Sequence, residues 1–88
     1  MYSEDIKKFI DTKVTEKNKY VKIEFSKRPA LYGMFVLSND YAYLSSKNFW
    51  RVVPRDKFDE YRISSKEELA RIFNGAEFSK LSLLNDEF

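Results

Sequence analysis

Tyr41, Tyr43 and Trp50 fall within a ten-residue window, with Lys47 and Arg51 interleaved among them and Lys27 and Arg28 just upstream. Flat rings beside cations suit single-stranded nucleic acid. Stacking of a base on an exposed ring contributes about 1–3 kcal/mol, the cations neutralise phosphates, and such binding weakens steeply with salt. The same rings could instead fill a core and its rim, as large aromatics commonly do.

Catalytic chemistry has little to work with. The chain contains no histidine and no cysteine, so a serine would need lysine or a carboxylate as its activator, and the usual zinc ligand sets cannot be assembled. Asp59 with Glu60, and Glu67 with Glu68, are adjacent in sequence and point apart, which does not suit a shared acid–base site. Two isolated glycines make no phosphate-binding loop. The expectation is a non-catalytic module with no metal, no cofactor and no small-molecule substrate.

Eighty-eight residues allow one domain with a modest core. Eight Phe, six Tyr and one Trp make 17% of the chain aromatic, so stability has to come from ring packing. Net charge is only +2, but residues 1–54 carry ten Lys/Arg against six Asp/Glu, and residues 55–88 carry six against eight. The basic excess therefore sits in the first part, where acids interspersed among the lysines make a solvated face the simpler reading. No apolar run approaches the roughly 20 residues of a membrane span, and charges at Glu4, Asp5, Lys7 and Lys8 interrupt any signal-peptide core. Absence of cysteine agrees with a reducing compartment, so a cytoplasmic location without membrane contact is expected.

The elements that must hold these residues follow from periodicity. Ser3 with Glu4 and Asp5 reads as a helix start, and Ile6, Phe9, Ile10 and Val14 recur at helical spacing, predicting a helix over 3–18. From Tyr20 the period drops to two, giving a strand with Val21, Ile23 and Phe25 on one face. Pro29 ends it. Leu31 to Ser38 is apolar on both faces, and Gly33 within it marks a bend or bulge. Asn39-Asp40 reads as a tight turn, Tyr41 to Leu44 as the return strand, and Phe49 to Val53 as the next strand. Arg55 to Arg62 reads as a helical turn or a long loop. Over 66–74, local propensity and the Ser65/Glu68 spacing of a capping box favour a short helix ending at the Gly75 turn, with a strand at Arg71 to Asn74 as the alternative. Phe78 to Leu84 supplies the last strand, and residues 85–88 form a fraying tail.

Two stretches, LYGMFVLSNDYAYL from Leu31 and RIFNGAEFSKL from Arg71, in that order and after a helix and a strand, resemble the two halves of the Sm motif. The resemblance implies one domain over 1–88: a helix at 3–18 and a small, strongly bent, five-stranded antiparallel barrel over 20–84. It also implies RNA binding and assembly of copies into a ring through strand edges. Carried onto this chain, the family's base-contacting positions fall on Asn39, Tyr43 and Asn74, with its stacking residue at Tyr41 or Ala42 and Asp40 beside them in the turn as a further candidate contact. Tyr43 stands where the family has asparagine, Asn74 where it has arginine, and Asn39 where it prefers aspartate. Gly33 and Gly75 are the structural turn glycines of the two halves.

The function expected is binding of single-stranded RNA by aromatic stacking and basic residues. The alternative is a protein-interaction or oligomerisation module that uses open strand edges.

Overall fold

A computed structural model of the chain describes residues 1–14 and 20–84. Helix α1 (Ser3–Lys13) carries Glu4 and Asp5 in its first turn and buries Ile6 and Ile10, with Phe9 and Val14 packed against the same core. The apolar stripe is the one expected from the sequence. Its limits differ. Tyr2 holds the N-cap position without a side-chain cap, because the Ser3 hydroxyl donates instead to the Ser45 carbonyl, 2.5 Å away. The helix stops at Lys13 with Val14 as C-cap; the rest of the expected extension to 18 and the tail at 85–88 lie outside the described residues.

Strands β1 (Val21–Phe25), β2 (Leu31–Phe35), β3 (Phe49–Pro54), β4 (Arg71–Asn74) and β5 (Phe78–Leu83) form one sheet in the order β4-β3-β2-β1-β5. Every neighbouring pair is antiparallel. Along β2 the residues alternate between two cores. Leu31 and Phe35 face the main core with Ile6, Ile10, Ile23, Trp50 and Phe78. Met34 faces a smaller one with Val53 and Phe58, the latter on α3 (Phe58–Ser64). Burial on both faces explains why this stretch lacks polar alternation.

The sheet is strongly bent. Phe25 on β1 and Phe73 on β4 are three strand positions apart, about 14 Å in a flat sheet at about 4.8 Å per strand, yet their ring centroids are 6.0 Å apart. The register irregularity expected at Gly33 occurs instead between Glu24 and Phe25, opposite β5. Gly33 pairs in regular register with Val21 and Pro54. It is required for close approach: a Cβ there would collide with Val52 Cγ1 and lie 3.0 Å from the Val53 carbonyl oxygen.

Two expectations are corrected. Tyr41 to Leu44 is not a return strand but part of helix α2 (Tyr41–Ser46). The Tyr41 ring turns onto Trp50 in an edge contact at 5.9 Å and Ser45 is buried, so the segment follows helical spacing and β3 takes the return position beside β2. Over 66–74 the helix favoured by propensity reduces to a 3-10 turn at Glu67–Leu69, and Arg71–Asn74 is strand β4. Pairing of Phe73 with Trp50 outweighs the local preference for helix. Ser65 does not cap a helix start; it closes α3 in a left-handed conformation, φ 56°.

Candidate functional site

The fold divides the candidate residues between two places. At the first, α2 and β3 meet. Asp40 accepts from Arg51 Nε at 3.2 Å and Nη2 at 2.5 Å, and from the Ser38 hydroxyl at 2.7 Å. These hydrogen bonds, Arg51's first, bring the Asp40 carboxyl down to about 2. Arg51 is thus committed to an intramolecular pair. Burial, reinforced by the charge of Asp11, pushes the Tyr41 phenol up, and its oxygen has no hydrogen-bond partner among the described residues.

Trp50 is 1% exposed, its indole N–H donating to Asn48 Oδ1 at 2.8 Å. The stacking role expected for it is therefore corrected: no base can reach a ring enclosed by Phe35, Tyr41 and the core. Tyr43 remains 65% exposed with Lys47 Nζ 6.0 Å from its ring centre, and Asn39 is exposed.

The second place is an open groove between the β1–β2 connection and β4, and it gathers Lys27, Arg28 and Asn74. The Arg28 guanidinium lies over the Phe25 ring at 4.5 Å and the Phe73 ring at 5.5 Å. The groove consists of two adjoining pockets that share Arg28 and Glu77, with Lys27 lining one and Arg71 and Asn74 the other. Asn74 does not present a free carbonyl: Oδ1 accepts from the Ala76 N–H at 2.9 Å, capping the 3-10 turn Gly75–Glu77. Gly75 is needed there because a Cβ would strike Asn48 Oδ1 and lie 2.6 Å from Ile6 Cδ1 and 2.7 Å from Trp50 Nε1.

Beside the groove, β4 is an edge of the sheet. The Gly75 N–H donates to the Asn48 carbonyl at 2.8 Å, and the Val36 N–H to the Arg51 carbonyl at 3.0 Å. With the register Trp50↔Phe73 and Arg51↔Ile72, antiparallel alternation turns the main-chain groups of Arg71 and Phe73 toward β3. It turns the N–H and C=O of Ile72, and the N–H of Asn74, outward. The Ile72 groups meet no other main-chain partner among the described residues. On the outer face, Ile72 is 49% exposed and Phe49, directly opposite Asn74, is 38% exposed.

Sequence reasoning singled out Lys27, Arg28 and Asn74 but missed Arg71, Ile72 and Phe49. The signal was present in RIFN: once Phe73 faces inward, period two sends Ile72 out. Among the described residues no group of three or more acidic, histidine or cysteine side chains could hold a metal ion, and no helix is long and apolar enough to cross a membrane. Neither a protein family model, nor a curated protein, nor a solved structure matches this chain.

Proposed function

We propose that the protein is a non-catalytic interaction module that receives a partner's extended segment as an added strand on β4. One observation carries this reading: the outward N–H and C=O of Ile72 have no main-chain partner among the described residues, on an edge whose neighbouring side chains, Ile72 and Phe49, are apolar and exposed. Water satisfies those groups in the free protein, and an incoming strand replaces that water while covering apolar surface. Strand order, the bend and the preceding helix support an Sm-like small barrel as the scaffold, with strand edges as its natural meeting points. The test is amide hydrogen exchange with an extended probe peptide, Ac-Thr-Val-Thr-Val-Thr-amide. Protection of the Ile72 and Asn74 amides is expected; no association, or association that leaves both amides unprotected, overturns the reading.

A second reading, single-stranded RNA in the groove, is favoured by the Arg28 guanidinium. Its inner face is covered by Phe25 and Phe73, leaving the outer face for a base, with Lys27 and Arg71 near enough for phosphates. Titration of labelled RNA homopolymers at low and moderate salt tests it. Absence of binding at low salt removes it.

A further inference from the structure

The two sides of the β4 edge differ in chemistry, and an added strand must meet both. Side chains of Arg71 and Phe73 share the face of Trp50 and Val52, while those of Ile72 and Asn74 share the face of Phe49 and Arg51. The groove wraps the edge: Arg71 and Phe73 line it from the first face with Arg28, and Ile72, Asn74 and Phe49 line it from the second. Lys27 lies in the adjoining pocket with Arg28 and Glu77. Arg28 makes ring contacts only, and neither it nor Arg71 has a carboxylate partner among the described residues. On the second face Arg51 is already bound by Asp40, and Ile72 and Phe49 are exposed there beside Asn74.

Resting on the strand-addition reading above, we infer that the partner is an extended protein segment in which acidic and apolar residues alternate. Its acids lie on the Arg28–Arg71 side and its apolar residues lie over Ile72 and Phe49. Period two in the partner matches period two in β4, because side chains of paired strands fall on the same face in register. Glu77 lines both adjoining pockets together with Arg28, so the partner's acids concentrate toward Arg71. The occupant is another protein and not a second copy of the sheet. The opposite edge, β5, offers these arginines no acid on either face: Leu81 and Leu83 share the core face with Ile23 and Val21, and Lys80 and Ser82 share the other with Glu24 and Lys22.

The experiment compares three labelled peptides that differ only at the polar positions, Ac-Glu-Val-Glu-Val-Glu-amide and its Thr and Lys counterparts, titrated at low and moderate salt. The Glu peptide is expected to bind about tenfold more tightly than the Thr peptide at low salt, with the advantage shrinking as salt screens it. That advantage disappears in the Arg28→Ala, Arg71→Ala double variant, while Thr-peptide binding stays. Ile72→Pro removes an outward donor without cutting a bond to β3, as prolines at edge positions do, and abolishes binding of all three. Ile72→Asp, which keeps the main-chain donor, weakens the Glu peptide at least tenfold, and unchanged Trp50 fluorescence verifies folding of both variants. Equal affinity for the Glu and Thr peptides overturns the acidic preference but leaves strand addition standing. Failure of all three peptides overturns both. Tightest binding of the Lys peptide, displacement of the Glu peptide by oligouridylate that Ile72→Pro leaves unaffected, or a concentration-dependent dimer abolished by Ile72→Pro, each overturns the assigned partner.

Discussion

The α2 shoulder and the β4 edge carry similar residue types, and the fold treats them in opposite ways. At the shoulder, Arg51 finds Asp40 and the Tyr41 ring finds Trp50, so this cation and this ring are consumed within the molecule, while Tyr43 stays exposed beside Lys47. At the edge, Arg28 rests on two rings with no ion pair among the described residues, and Ile72 and Phe49 stay open to solvent. Composition alone therefore does not locate a binding surface. What distinguishes the edge is that outward main-chain hydrogen-bonding groups lie there beside exposed apolar side chains, Ile72 and Phe49.

The largest test of this contrast removes the ring that both regions lean on. Trp50→Ala takes away the support of Tyr41 on one side and the cross-strand partner of Phe73 on the other, and is expected to cost about 3–5 kcal/mol in urea unfolding followed by circular dichroism. Next comes Gly33→Ala, which leaves both regions chemically intact but drives a Cβ into Val52 beneath them. A loss of about 1–3 kcal/mol is expected from the same measurement. If instead the variant is as stable as the parent, β2 and β3 lie less close than described.

Smaller effects separate the regions. Arg28→Ala is expected to cost about 0.5–1 kcal/mol of stability through its ring contacts while affecting acidic-peptide binding far more. A stability loss with binding intact would make Arg28 a structural residue. Asp40→Asn is expected to change neutral-pH stability least and to alter its pH dependence. The folded carboxyl titrates at about 2 against an ordinary 3.8, so its contribution is full above the ordinary value and is lost as pH falls through that window. Melting temperatures at pH 7 and pH 3 should therefore differ less in the variant than in the parent. An unchanged difference would show that the Arg51–Asp40 pair is not what holds the shoulder closed.

Sequence reasoning reached the strands whose neighbours are fixed by period alone. Val21, Ile23 and Phe25 alternate cleanly, and both-face burial of Met34 and Phe35 follows from an uninterrupted apolar run. It failed where long-range contacts overrode local preference. YAYL alternates well enough for a strand but is turned into helix by the docking of Tyr41 on Trp50. Glu67 to Arg71 favours helix but is drawn out by pairing with β3. At the candidate site, the presence of cations and rings was legible. The neutralisation of Arg51 by Asp40 was not, since it depends on α2 being a helix. Asn48 was also invisible in one dimension: with φ 62° it accepts from the Trp50 indole and the Gly75 N–H and donates to the Met1 carbonyl, joining three distant segments.

The placement of β5 beside β1 sets a timetable for the chain. Val21 pairs with Leu83, the most remote ladder in the sheet, whereas β2 and β3 meet soon after they are made. During synthesis β1 therefore waits, with one side unpaired, until the β5 residues have emerged, and contacts of such wide sequence separation form slowly. A nascent chain halted before Phe78 leaves β1 as an open edge, with Val21, Ile23 and Phe25 lacking their β5 neighbours. The interval before β5 docks is the period of greatest aggregation risk for this sheet.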